Sequence, residues 1–182
     1  WCTYKYLNSG PGSIAGCFVH ERNLLKDLPR FEGWWGTKKS ERFKMKPDFE
    51  PIGTVESWQL SNPPILPLAA LRASLEIFSA VGMDAIRSKS VELTGYLEFL
   101  LKREDLAEKC NIITPTDPNE RGCQLSVVME GFCADTQKRL EKLGVVSDFR
   151  EPNVIRLAPA PLYNSFSDVY HLSHKLRQVL AG

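Results

Sequence analysis

Residues 1–21 read WCTYKYLNSGPGSIAGCFVHE: aromatic residues around one lysine, a glycine-broken turn, then an apolar run. Lys5 lies between Tyr4 and Tyr6, with Trp1 and Leu7 close in sequence. Burial among aromatic side chains disfavours the ammonium form of a lysine and frees the amine. A free amine is the nucleophile that Schiff-base chemistry with a carbonyl compound requires. The same spacing also suits a lysine whose stem crosses an aromatic strand while its head stays in water. The run Ala15 to His20, AGCFVH, follows the glycines and is expected to be a strand.

Beyond it, residues 21–32 are charged and read as a loop, and Gly33-Trp34-Trp35-Gly36 sets two indoles between two glycines. Such a turn either packs back on its own core or offers its rings to a ligand. Residues 37–51 are basic, and Arg42, Lys44 and Lys46 alternate with Phe43 and Met45, which predicts a half-exposed strand or extended arm. Pro63-Pro64 forces Asn62 into an extended conformation, fixing Ser61 and Asn62 ahead of a helix. That helix is announced by Leu68, Leu71, Leu75 and Phe78 at spacings of three and four. Gly82 interrupts the pattern, and a second helix is expected from Met83 to Glu104, with Ile86, Leu93, Leu97 and Leu100 on one stripe. Strands are predicted at residues 111–114, 124–130, 145–149 and 154–158, with a helix over 134–143 stopped by Gly144. A last helix capped by Ser167 turns Val169, Leu172, Leu176 and Val179 inward. The C-terminal part therefore reads β-β-α-β-β-α with antiparallel pairing, a small α+β unit.

Composition narrows the function. The chain has 182 residues, 43% hydrophobic and 25% charged, with a net charge of +1, and this balance gives no basis for nucleic-acid or acidic-membrane binding. No apolar run is long enough for a membrane helix, and no signal peptide is visible. The five cysteines are odd in number and include no CxxC pair, which favours reduced thiols in a cytoplasmic protein. His171 and His174 can share a helix face, but with no third ligand nearby no metal site is expected. The chain opens mid-pattern on an apolar residue, as expected of a piece of a longer protein. Nucleotide loops and the serine-hydrolase elbow are missing. Arg156, inside VIRLAPAPLYN, stands on an otherwise apolar strand. A guanidinium there needs an anion: a ligand carboxylate gripped by its planar fork, or an acid of the chain itself, unless the side chain points outward.

Several long strings in order resemble kynureninase, a member of the aspartate-aminotransferase-like (fold type I) enzymes that use pyridoxal 5'-phosphate (PLP). They are YKYLNSGPGSIAG, GWWG, ERFKM, SNPPILPLAALRASLEIF, KSVELTGYLEFLL, NIITP, ERGCQLS and GVVSDFREPNVIRLAPAPLYNSF, and they cover nearly the whole chain. The resemblance implies an α/β fold: residues 1–67 end a large PLP-binding domain with a mixed sheet, and 68–182 supply connecting helices and a small C-terminal α+β domain. It implies hydrolysis of L-kynurenine or 3-hydroxykynurenine to an anthranilate and L-alanine, within tryptophan catabolism and NAD synthesis. Lys5 would be the Schiff-base lysine, with Tyr4 touching the phosphate and assisting proton transfer. Trp34 and Asn62 would bind the phosphate from the neighbouring subunit of a homodimer, Ser61 would border the substrate ring, and Arg156 would clamp the substrate carboxylate. Thr37 stands where the family often has histidine, and the family's upstream half, with the acid that pairs with the pyridinium nitrogen, has no counterpart in this sequence. Two other readings remain: another fold type I lyase or aminotransferase, and a non-catalytic dimerisation or binding module.

Overall fold

The computed structural model describes Trp1 and residues 3–181, with Glu104 described by its backbone alone. Two compact units emerge, residues 1–80 and residues 81–182.

The first unit is built of turns and one helix. Short 3-10 turns occupy Glu21–Asn23, Trp34–Gly36 and Val55–Trp58, and the helix α1 runs over Ile65–Val81. Ala15–His20 does not form the expected strand; only Ala15 makes a bridge. An apolar run becomes a strand only where a neighbouring strand takes its backbone groups, and beyond Gly16 none does so among the described residues. The alternation over 37–51 does not give an extended arm either. Lys38 N–H bonds to Glu50 C=O at 2.8 Å and Thr37 bridges Pro51, so the segment folds back as a loop with Phe43 and Met45 outside. The stripe of α1 is only half covered, and Leu75 stays 43% exposed.

The second unit carries the core. Helix α2 spans Met83–Leu101, shorter than the expected end at Glu104, where a separate turn α3 covers Glu104–Ala107. Gly82 separates α1 from α2 at a φ of 81°, a backbone region that residues with a Cβ disfavour. Strands β1 (Cys110–Ile112), β2 (Leu125–Met129), β3 (Asp148–Arg150) and β4 (Val154–Leu157) and helices α4 (Ala134–Lys142) and α5 (Phe166–Ala181) complete the β-β-α-β-β-α order. All pairs are antiparallel, in the order β1-β2-β4-β3, with Val127 opposite Ile155 and Asp148 opposite Arg156. Leu125, Val127 and Met129 of β2 and Ile155 and Leu157 of β4 turn one sheet face onto Leu93 and Leu97 of α2, Leu140 of α4 and Leu176 of α5. The cap of α5 is Ser165, not Ser167: Ser165 Oγ accepts from Asp168 N–H at 3.2 Å, and Asp168 accepts from Ser165 N–H at 2.8 Å. The acid three residues on selects the reciprocal capping box at Ser165. Cys17, Cys110, Cys123 and Cys133 are free thiols, and Cys2 lies outside the described residues. Among the described residues no single helix is long and apolar enough to cross a membrane.

Candidate functional site

Lys5 stands at the tip of a loop closed by three hydroxyls. Ser9 Oγ donates to Thr3 C=O at 2.8 Å and meets Ser13 Oγ at 2.7 Å, while Thr3 Oγ1 meets Ser13 Oγ at 2.8 Å and donates to Ile14 C=O. Thr3 and Ser9 are buried, and a buried hydroxyl left unbonded is costly, so these contacts fix the loop's base. At the tip, Asn8 N–H bonds to Lys5 C=O at 3.3 Å with Asn8 at a φ of 51°, a conformation that asparagine tolerates better than most residues. Ser74 of α1 donates to Leu7 C=O and ties the loop to the helix. Lys5 itself is exposed, correcting the expectation of a desolvated amine. The rings meant to cover it turn outward: Trp1, Tyr4 and Tyr6 are 68%, 50% and 76% exposed. Lys5 takes part in no hydrogen bond or ion pair through its amine among the described residues.

A second cluster joins the tryptophan turn to the Ser61-Asn62 segment. A Cβ on Gly33 would lie 2.2 Å from Leu60 Cα, and one on Gly36 would lie 2.6 Å from Ser57 C=O, so only glycines let the two backbones touch. Arg30 secures the far side, donating to Ser57 Oγ at 3.0 Å and stacking on the Trp58 ring at 4.9 Å. Trp34 and Asn62 are thus held on neighbouring loops. The Trp34 indole N–H donates to Arg42 C=O at 3.0 Å, and Phe43 meets the same indole edge-on at 5.3 Å. Ser61 and Asn62 are exposed; Ser61 C=O accepts from Gln59 at 3.1 Å, and the Asn62 amide has no partner among the described residues. No bond or ring contact links Tyr4 or Lys5 to Trp34, Ser61 or Asn62 among the described residues. Beside the turn, hydrogen bonds from Lys46 and then Lys44 hold the Glu41 carboxyl down to about 2.

Arg156 belongs to the second unit. It lies on the sheet face opposite Ile155 and Leu157, where Nη2 pairs with the Asp148 carboxylate directly across the strand pair. Of the alternatives open from sequence, the internal salt bridge is the one found. Asp148 is shared with Arg150 at 3.0 Å, and Arg156 Nε is buried without a partner among the described residues. Asp148 and the Thr3-Ser9-Ser13 hydroxyls escape sequence reasoning. The hydroxyls follow no period, while Asp148 becomes visible only once the β3–β4 register is known.

The fold is shared with solved structures. A cysteine desulfurase from Escherichia coli aligns with a TM-score of 0.65 at 18% identity, over 84% of this chain and 39% of that one. A C-DES variant with glycine covalently linked to its PLP cofactor aligns with a TM-score of 0.67 at 16% identity, over 87% of this chain and 40% of that one. The class, by fold, is therefore the mixed α/β architecture of these solved structures, matched over about two fifths of their length. Within that class, the kynureninase C-terminal domain matches residues 86–176, and a kynureninase from Myxococcus xanthus is 59% identical over 93% of this chain. The chain belongs to the kynureninase family. It spans 40% of the length of the Myxococcus relative.

Proposed function

We propose that the chain is the C-terminal part of a PLP-dependent kynureninase, a cytoplasmic homodimer. It hydrolyses L-kynurenine or 3-hydroxykynurenine to anthranilate or 3-hydroxyanthranilate plus L-alanine. In this reading residues 1–67 complete a larger cofactor domain and residues 68–182 form the connecting helices and small domain. The observation behind it is the stapled loop that offers Lys5 as an unpaired amine. The residues present fit the cofactor's aldehyde, for which Lys5 offers a primary amine without a partner among the described residues. Trp34 and Asn62 share one cluster without a bond to Lys5, which suits their serving a neighbouring subunit's phosphate.

PLP supplies an electron sink for charge developing at the substrate's α-carbon. Lys5 holds the cofactor and moves a proton at that carbon, with the Tyr4 phenol beside it in the same turn. Arg156 grips the α-carboxylate with donors that Asp148 leaves free, and Asp148 sets the plane of the fork. Ser61 borders the aromatic ring. The test loads the intact protein with PLP, reduces it with borohydride and maps the pyridoxyl peptide, while anthranilate fluorescence follows turnover of kynurenine. The label is expected on Lys5, with kynurenine-dependent release of anthranilate. A label on another lysine removes Lys5 from its role, and absent turnover by the intact loaded protein removes the activity.

A further inference from the structure

Three charged side chains share the sheet face turned away from the core. Asp148 and Arg150 alternate with Phe149 on β3, and Arg156 lies directly opposite Asp148 on β4. Arg156 Nη2 and Arg150 Nη2 both meet the same oxygen, Oδ2 of Asp148, the second at 3.0 Å. The register puts Asn111, Ser126, Val128 and Val154 on this face beside them, and none of these is charged. The strands thus set two guanidinium ions against one carboxylate there. Glu130, after β2, and Glu151, in the turn after β3, form no ion pair with either arginine among the described residues. The Arg150 side chain is 60% exposed, so its charge acts through solvent and is open to screening by salt.

We propose that Arg150 is a positioning residue for the substrate's α-carboxylate: it shares Asp148 with Arg156 and so keeps one positive charge in excess where that carboxylate binds. The proposal rests on the reading that Arg156 grips the carboxylate. Asp148 orients the Arg156 guanidinium, but the same contact cancels the charge that draws an anion to it. Alone, the pair is neutral, and a carboxylate brought to it is attracted by one member and repelled by the other. Arg150, on the same Asp148 oxygen, offsets that repulsion while the orienting contact stays in place. Without Arg150 the face would hold one cation against one anion.

The experiment uses the intact PLP-loaded protein and two probes. One is L-kynurenine, followed by kcat/KM; the other is the amine in which hydrogen replaces its α-carboxylate, followed as an inhibitor. Arg150→Met is expected to lower kcat/KM for L-kynurenine about threefold at about 0.01 M salt and less than about 1.5-fold at about 1 M. Inhibition by the amine is expected to stay within about 1.5-fold at both salt concentrations. Arg150→Lys, which restores the charge without the planar fork, is expected to recover most of the loss. No loss, a loss of equal size at both salt concentrations, or a loss shared by the amine overturns the proposal, since a residue that only supports the strand reads neither salt nor carboxylate. If Arg150→Met does not fold, Arg150→Gln decides by the same comparison. Arg156→Lys separates the two claims. If it leaves discrimination between L-kynurenine and the amine unchanged, the reading of Arg156 fails and takes the proposal with it. If it lowers that discrimination while Arg150→Met does not, the assignment of Arg150 alone fails.

Discussion

In the proposed reading Arg156 serves two anions, the Asp148 carboxylate and that of the substrate. Its fork is oriented by Asp148 across the strand pair, so a lysine would retain the charge and lose the geometry. In the intact enzyme Arg156→Lys is expected to lower kcat/KM by about 2–4 kcal/mol while leaving PLP affinity within about twofold. Unchanged kinetics would exclude Arg156 from the substrate. The cysteines give a second single-residue test. Burial pushes the Cys110 thiol up to about 11, with the Asp105 charge adding to the shift. At the N-terminus of α4, the Thr136 hydroxyl and then the Thr136 and Asp135 N–H groups hold the Cys133 thiol below its ordinary value. Alkylation by iodoacetamide at neutral pH, mapped by peptide mass, is expected to reach Cys133 well before Cys110. The reverse order would contradict both environments.

Among the elements, the loop that carries Arg42 has a pH limit written into it. Glu41 titrates near 2 instead of 4.5, chiefly through hydrogen bonds from Lys46 and Lys44. A carboxyl held below its unfolded value stabilises fully above that value, and its contribution is lost as pH falls through the folded one. The fluorescence of Trp34 and Trp35 is therefore expected to stay constant down to pH 4.5 and to change between 4.5 and about 2. A change complete above pH 5 would contradict the pairing. Legibility from sequence divides along the same elements. Helix α2 and the strands β2 and β4 were readable, because the burial of Leu93 and Leu97, or of Leu125 and Val127, repeats with the period of the element. The run AGCFVH and the alternation RFKMK misled, because period marks which side chains are apolar and says nothing about whether a backbone partner exists. Resemblance alone pointed to Lys5, Trp34, Asn62 and Arg156 as candidates, whereas Asp148 and the Ser9 hydroxyl depend on register and loop closure.

On the scale of the whole molecule, apolar burial is one-sided. Every buried hydrophobic residue of the core lies between Ile86 and Val179, whereas the buried polar residues of the first unit are Thr3, Ser9, Ser57 and Ser74. In that unit Phe18, Leu25, Phe31, Phe43, Ile65 and Leu66 are each more than 75% exposed. Burial of apolar surface is the dominant favourable term in folding, so residues 81–182 are expected to unfold as one cooperative body. Hydrogen exchange on the 182-residue chain should find slow amides in α2, β2, β4 and α5 and fast ones throughout residues 1–80. Slow exchange around Thr3–Ser13 would show that the hydroxyl staple suffices without a core.

That same imbalance has a consequence on the ribosome. Translation runs from the N-terminus, so residues 1–80 emerge before any residue of the core that follows them. At about 5–20 residues per second, the aromatic and aliphatic side chains of this unit wait several seconds for the last strand of the core to be made. In that interval they are open to whatever apolar surface is already made, so the yield of folded chain is expected to depend on how soon they are covered.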